Sequence, residues 1–393
     1  MKIRGSYESL LAQFPQELEV LIYISTMSHD SRKRLLIPET FNWELFVRLM
    51  ERHQLTSYLF PVLSAHKNKI PADVYERIRK LNQRYLLQSL AHIEQTICLQ
   101  QQFDRAHIPA VFLKGVVLSQ IIYGDPTKKN SIDIDLLVSA DQMADAIKLL
   151  NDQGYVLIYP KPRLTEKQKQ INYKITHHYT FHHPGQSVFV ELHWKLINPW
   201  QLLPWHFNQL KDRSIQVFLK EHPIRTLCME DYLLYLPVHG AKHSWYNLSW
   251  LNDFRGLLAH TGHDMQHALY QKSQRMGLER CFLQGCRLSR ILYHTSLISE
   301  IYKDDSRVKG MVQHALKRIQ QSRQQKAVKK PGHLYYLLRL KRDWRYKFVL
   351  FYRLRTHHTN WSVIKLPDSL FFLYYPLRPV LWFLSLLKGI SKR

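Results

Sequence analysis

Hydrophobic residues recur with helical spacing through the first part of the chain. Apolar patches with this spacing lie at Leu18–Tyr23, Trp43–Leu49 and Tyr58–Leu63, and Tyr75–Phe103 predicts one long helix. We therefore expect residues 1–105 to form an N-terminal helical region that bundles against a sheet formed later in the chain.

The spacing changes after this region, where short apolar runs alternate with helical segments. These runs predict strands at Val111–Leu113, Ile132–Val138, Tyr155–Tyr159 and Val188–Leu196. Val116–Tyr123 predicts a helix, and Ser139–Gln142 has the capping-box pattern that begins a second one. A hairpin is expected around Pro184 and Gly185. The alternation predicts an α/β (α+β) fold whose mixed-sheet core is formed by residues 106–228.

The remainder is predicted to be helical. Met229–Tyr246 predicts a helix that bends at Pro237, and the apolar spacing from Gly256 to Ile319 predicts further helices. We expect residues 229–330 to form a helical domain of the kind that binds a second substrate.

Residues 331–393 form a basic and aromatic C-terminal segment. From Lys317 to Arg355, Lys and Arg recur against a single acid, Asp343, and alternate with Tyr, Trp and Phe. Such a segment can bind nucleic acid through phosphate contacts and stacking, and it can equally bind an anionic membrane surface. We therefore expect any peripheral contact with either partner through residues 317–393.

The tail Leu366–Ile390 is very apolar, but Pro376 and Pro379 interrupt it. This disfavours a membrane-spanning helix. An interfacial helix, or docking on the protein's own core, fits the tail better.

Two aspartates interrupt the second predicted strand. Asp133 and Asp135 lie two positions apart, so both side chains leave by one face while Ile132, Ile134 and Leu136 leave by the other. Two like charges side by side on an apolar strand repel each other and lose hydration, which favours a cation between them. A divalent metal ion is the simplest candidate.

The last predicted strand carries a third carboxylate. Glu191 and His193 share one of its faces. If this strand pairs beside the aspartate strand, three carboxylates form the oxygen-ligand site that Mg²⁺ prefers, and such a site suits phosphoryl or nucleotidyl transfer. His193 either approaches the metal or phosphate or donates a structural hydrogen bond to a strand carbonyl.

Two segments of the chain carry groups that can bind phosphates. Gly115 lets the backbone come close to a phosphate, and the helix that follows has free N–H groups at its start. His239, Lys242 and His243 lie along one helix face and suit a triphosphate, although a solvated face has the same pattern. Asp253 either orients one of these side chains or pairs at the surface.

Histidines cluster before the predicted hairpin turn, at His177, His178, His182 and His183. They suggest zinc, but neighbouring residues of a strand point to opposite faces and no cysteine joins them. We therefore disfavour a zinc site there.

The motifs Leu113-Lys114-Gly115, Asp133–Val138, Glu191–Trp194 and His239–His243, with Tyr123, resemble the bacterial family of uncharacterised nucleotidyltransferases in the DNA polymerase β-like superfamily. The resemblance covers roughly residues 85 to 260. Three features depart from the pattern, one of which is a longer gap between Gly115 and Asp133 than the superfamily usually has. Val116 stands where the superfamily has Gly or Ser, and the nearest basic residue before Asp133 is Lys129 instead of an arginine.

The resemblance implies a polymerase β-like nucleotidyltransferase fold and a role for each motif. Asp133, Asp135 and Glu191 would bind Mg²⁺ or Mn²⁺, and Glu191 would accept a proton from the acceptor hydroxyl. Nucleotide-binding residues would be Lys114, Gly115, Lys129, His239, Lys242 and His243.

The implied reaction is metal-dependent transfer of a nucleoside monophosphate from a nucleoside triphosphate, ATP among the candidates, with release of pyrophosphate. The acceptor is open: a small molecule, a peptide or protein, or RNA. Two alternatives are a non-catalytic nucleic-acid or membrane-surface binder on this fold, and a toxin-like enzyme that modifies tRNA.

Composition agrees with a folded, basic protein. The 393 residues are 45% hydrophobic, and 56 Lys and Arg against 31 Asp and Glu give a net charge of +25, which attracts polyanions or acidic membrane. The four cysteines lack metal-ligand spacing, and the first twenty residues lack the apolar core of a signal peptide. We expect a cytoplasmic protein, with membrane-peripheral binding as an option.

Overall fold

The computed structural model describes residues 7–27, 34–160, 164–302, 305–321, 331–353, 361, 363–378, 380–381 and 384. These residues form seven β-strands and sixteen α-helices. The strands build one mixed sheet with helices packed against it, so the predicted α/β class is confirmed.

The N-terminal part is helical, as predicted. Its helices are α1 (Glu8–Leu11), α2 (Gln16–Met27), α3 (Trp43–Arg52), α4 (Thr56–Ala65) and α5 (Ala72–Arg105). α3 begins where Asn42 Oδ1 accepts the Leu45 N–H at 2.9 Å, a typical N-cap. α4 lies against the loop before the aspartates, because the Ser57 N–H donates to Asn130 Oδ1 at 3.1 Å.

The sheet has the order β3-β4-β5-β2-β1-β7-β6. Its strands are β1 (Val111–Leu113), β2 (Ile134–Leu137), β3 (Val156–Tyr159), β4 (His178–His183), β5 (Val188–His193), β6 (Ile215–Leu219) and β7 (His222–Thr226). β2 pairs in parallel with β5 and antiparallel with β1. β4 and β5 form the hairpin expected around Pro184 and Gly185.

Four helices connect the strands: α6 (Gly115–Tyr123), α7 (Met143–Asp152), α8 (Glu166–Ile175) and α9 (Phe207–Arg213). The capping box predicted at Ser139–Gln142 is wrong, because Ser139 Oγ donates to the Gln142 side chain and Gln142 makes no side-chain cap bond. A capping box forms instead at α8, between Thr165 and Gln168.

The C-terminal helices are α10 (Met229–Lys242), α11 (Leu248–Leu258), α12 (His263–Arg275), α13 (Glu279–Tyr293), α14 (Ser306–Gln320), α15 (Pro331–Arg339) and α16 (Trp344–Arg353). They share one hydrophobic core with α1–α4, in which Trp245, Tyr232 and Phe46 are fully buried. A second core lies between the sheet and α5–α7 and includes Phe103, Phe112 and Phe181.

Part of the C-terminal segment packs on the protein's own core. Tyr336 and Tyr346 are buried in the large core, and Phe371 and Tyr374 form a small cluster against Leu164. In the described tail, Phe372 and Val380 remain exposed, so docking and interfacial binding of Leu366–Ile390 both stay predictions. Residues 379, 382–383 and 385–390 of this tail lie outside the described part.

One face of α16 remains exposed, with Trp344, Phe348 and Phe351 between 51% and 70% accessible. In the described ranges, we find no helix with the length and hydropathy needed to cross a membrane. Contact with nucleic acid or anionic membrane, and a cytoplasmic location, stay predictions.

Candidate active site

The two acidic strands lie side by side. Asp135 on β2 is the register partner of Glu191 on β5. Both carboxylates and Asp133 line one cavity of about 340 Å³. Asp133 immediately precedes β2. Ile132 was predicted on the buried face, which is wrong: it is 58% exposed and lines the same cavity.

The turn between β1 and α6 brings its backbone to this cavity. Lys114 and Gly115 both have left-handed backbones, with φ of 48° and 53°. A hydrogen-bonded chain holds the turn: the Lys114 N–H donates to the Tyr232 hydroxyl at 3.2 Å, which lies 2.7 Å from the Thr226 hydroxyl. Thr226 in turn donates to the Phe112 carbonyl at 2.7 Å. This chain of buried hydrogen bonds therefore stabilises the strained backbone conformation of Lys114.

Cationic and imidazole groups surround the carboxylates. Lys114 Nζ lies 3.5 Å from Asp135 Oδ2 and 3.4 Å from His239 Nε2. His193 Nε2 lies 2.9 Å from Asp135 Oδ1 and 3.3 Å from Glu191 Oε2. His193 therefore contacts the acids, and of its two expected roles the structure places it beside the candidate metal ligands.

Burial and like charge determine the pKa of the acids. Burial, followed by Asp135 and Glu191, raises the pKa of Asp133 to about 7. Burial acts against ionisation of Asp135 as well, but Lys114 and His193 outweigh it and lower the pKa of Asp135. The carboxylates raise the pKa of His193 to about 9 despite its burial. Asp133 is thus the carboxyl whose ionised form is disfavoured, by burial and by its two acidic neighbours.

Among the residues that the structure describes, two groups of side chains have ligand atoms close enough together to hold a metal ion. One is Asp135, Glu191 and His193, whose ligand atoms lie within 4.8 Å of one another. The other is His177, His178 and His193, with the same spacing. Zinc at His177 and His178 is disfavoured by the sequence, because neighbouring residues of a strand point to opposite faces. His177 precedes β4, so strict alternation does not separate it from His178.

His239 and His243 lie in an aromatic wall of the cavity. Their ring centroids lie 4.9 and 5.4 Å from that of Trp250, and the Tyr246 ring packs on Trp250 at 4.8 Å. Burial holds the pKa of both histidines well below the usual range, so they are neutral at pH 7. Lys242 also lines the cavity. Sequence reasoning missed Trp250, whose part depends on contacts between α10 and α11.

Lys129 lines the cavity but pairs with Asp253 in the interior, where both side chains are less than a tenth exposed. Asp253 is buried, so surface pairing, one of its two expected roles, is wrong. Orientation of Lys242 or a histidine by Asp253 stays a prediction. Burial raises the pKa of Asp253, and Lys129 opposes that rise.

The model of the family described as uncharacterised nucleotidyltransferase matches residues 39–294, well over half of the chain. The chain belongs to this family. No curated protein matches it. Among solved structures, the chain matches an antigenic nucleotidyltransferase-like protein from Paracoccidioides brasiliensis, with 16% identity and a TM-score of 0.32 over 54% of this chain and 96% of that one.

The family match extends from before α3 to the end of α13 and contains every site residue described above. The resemblance noted in the sequence is confirmed, but its expected extent was too narrow. The expectation of a bacterial source stays a prediction.

Proposed function

We propose that the protein is a metal-dependent nucleotidyltransferase that moves a nucleoside monophosphate from a nucleoside triphosphate to an acceptor and releases pyrophosphate. The observation that carries this proposal is the register pairing of Asp135 with Glu191 beside Asp133, in a cavity that also contains Lys114 and Lys242. Family membership supports the same class of reaction.

The donor set fits a divalent cation. Asp133, Asp135 and Glu191 supply carboxylate oxygens, which Mg²⁺ and Mn²⁺ prefer, and His193 supplies an imidazole beside two of them. Burial and the neighbouring Asp135 and Glu191 raise the pKa of Asp133, so a bound cation would favour its ionised form. When bound, the metal would offset phosphate charge and polarise the phosphoryl oxygens.

The glycine turn would bind the phosphates. α6 begins at Gly115, which lines the cavity, so the free N–H groups and the positive dipole end of this helix would bind phosphate there. Lys114 and Lys242 line the cavity and would offset the triphosphate charge. Lys129 would contribute less, because its charge is already paired with Asp253.

The aromatic wall suits the nucleoside. Neutral His239 and His243 are weak partners for phosphate, whereas their rings and Trp250 offer a stacking surface for a base. We therefore assign the two histidines to base binding within the nucleotide site.

The transfer itself needs one proton acceptor. The acceptor hydroxyl oxygen would attack the α-phosphorus, the bond from that phosphorus to the bridging oxygen of the β-phosphate would break, and pyrophosphate would leave. Glu191 is lined up with Asp135 and would take the hydroxyl proton. Lys242 would offset charge on the leaving pyrophosphate.

Transfer of label tests the proposal. Each α-labelled nucleoside triphosphate is incubated with the protein, Mg²⁺ or Mn²⁺, and protein, RNA and small-molecule fractions of a cell extract. We expect label in one fraction with wild type and with the exposed control Asp152→Asn, and no label with Asp135→Asn. Nucleotide binding without transfer to any fraction would contradict the proposal and favour a binding protein.

A further inference from the structure

Three imidazoles lie together at one side of the cavity. The ring centroids of His177 and His178 are 4.5 Å apart, and those rings lie 5.4 and 5.0 Å from the ring of His193. Each residue offers a nitrogen within 4.8 Å of the others. Catalytic zinc sites likewise have three protein ligands, and they keep a further position open for water or substrate.

The backbone fixes this arrangement. His178 and His193 are register partners across the β4–β5 hairpin. Just beyond that pair, the Trp194 N–H donates to the His177 carbonyl at 3.1 Å. All three histidines are thus held on two hydrogen-bonded chain segments, which is the rigid support that a metal site needs.

Two of the three rings, those of His178 and His193, contact carboxylates through one nitrogen only. The Nε2 atom of His178 lies 3.5 Å from Glu191, and that of His193 contacts Asp135 and Glu191. Within the described residues, the Nδ1 atoms of His178 and His193 are buried and have no hydrogen-bond partner. Buried imidazole nitrogens are normally bonded, and a metal-ligating histidine commonly gives its other nitrogen to a carboxylate.

We infer that His177, His178 and His193 form a nitrogen-ligand site for a transition metal ion of the Zn²⁺ or Co²⁺ type, beside the carboxylate site. Imidazole nitrogen favours such ions over Mg²⁺. The three residues line the cavity, so a ligand position on the ion would face the space for substrate. Metal binding here does not depend on the proposed transfer reaction and is measured without nucleotide.

The other two histidines of the cluster serve as matched controls. His182 packs on Phe189 with centroids 4.6 Å apart, and His183 packs on Tyr155 at 5.0 Å. Both lie on β4, as His178 does, and neither belongs to the group with close ligand atoms.

Metal binding by the full chain, stripped with chelator, tests the site. We expect one equivalent of Zn²⁺ to be retained in equilibrium dialysis against excess Mg²⁺, and Co²⁺ to give visible absorption bands of a nitrogen-ligated ion. His177→Asn and His178→Asn should each weaken Zn²⁺ binding at least ~10-fold. His182→Asn and His183→Asn should bind as wild type does.

Two results would overturn the inference. One is wild-type protein that retains no Zn²⁺. The other is equal Zn²⁺ affinity in His178→Asn, His182→Asn and wild type, with near-identical circular dichroism showing that all three are folded. Asp133→Asn adds a further readout, because it should keep Zn²⁺ and the Co²⁺ spectrum even where it abolishes label transfer.

Discussion

Asp135 and Glu191 face each other in the parallel pair β2–β5, and the imidazole of His193 contacts both carboxylates. The pairing places two acids from segments far apart in the chain at one end of the cavity. Lys114, which directly follows β1 on the other side of β2, lies 3.5 Å from Asp135. The site is therefore built on three adjacent central strands, which hold its side chains in fixed positions.

The left-handed backbone at Gly115 leads to a first prediction. Gly115→Ala places a Cβ on a residue with a φ of +53°, a backbone conformation that L side chains rarely adopt, so the substitution strains the start of α6. We expect label transfer to fall by up to ~100-fold, because small displacements at a reacting centre have large effects. Gly262→Ala, where an added Cβ meets nothing within 4 Å, should leave transfer unchanged. Equal rates for the two variants would refute the role of the turn.

The wall around Trp250 gives a prediction about nucleotide affinity. Trp250→Ala removes a stacking surface worth about 1–3 kcal/mol, so the Kd for the preferred nucleoside triphosphate should rise by roughly 5- to 150-fold. Trp250→Phe keeps an aromatic ring and should lose much less. Isothermal titration calorimetry measures both Kd values. An unchanged Kd in the alanine variant would place the base elsewhere.

The buried pair of Lys129 and Asp253 should dominate local stability. Asp253→Asn leaves the Lys129 ammonium buried without its counter-charge, and we expect the free energy of unfolding to fall by about 3–5 kcal/mol. Glu166→Gln breaks the exposed pair with Lys169 and should change it by less than ~1 kcal/mol. Urea unfolding compares the two, and similar losses would show that the interior pair contributes little.

His92 on α5 predicts an acid sensitivity. The residue is buried, both ring nitrogens lack a partner in the described part of the chain, and burial lowers its pKa to about 4. The unfolded chain takes up this proton as pH falls below about 6.5, whereas the folded protein does not until about pH 4. As pH falls from about 6.5 to about 4, proton uptake by the unfolded chain therefore lowers the free energy of unfolding. Below about pH 4 both states bind the proton, and His92 causes no further change.

The variant His92→Leu isolates this effect. Between pH 7 and pH 4.5, wild type should lose about 2–3 kcal/mol more unfolding free energy than His92→Leu. Urea unfolding at the two pH values measures the difference. Equal losses of unfolding free energy in the two proteins would mean that the pKa of His92 is not lowered in the folded protein.

Much of the site follows from local patterns. The period-two spacing of Asp133 and Asp135, the glycine turn at Gly115, and Glu191 within an apolar strand each specify their elements without tertiary information. The hairpin between β4 and β5 also places His178 opposite His193. The position of the turn in the sequence is enough to predict this register.

Other features depend on contacts between distant segments. Lys129 and Asp253 meet although 124 positions separate them, and no periodicity encodes that pairing. The packing of Trp250 on His239 depends on how α11 crosses α10. Ile132 was misplaced because the strand begins two residues later than its apolar run, where backbone pairing starts.

The most direct test of the central claim compares two labels on one nucleoside triphosphate. With Mg²⁺ or Mn²⁺ and the fraction that accepts label, we predict that α-label joins the acceptor while γ-label leaves as pyrophosphate. Both products should disappear together in Asp135→Asn. Transfer of the γ-label to the acceptor, or release of the γ-label as inorganic phosphate, would contradict nucleotidyl transfer.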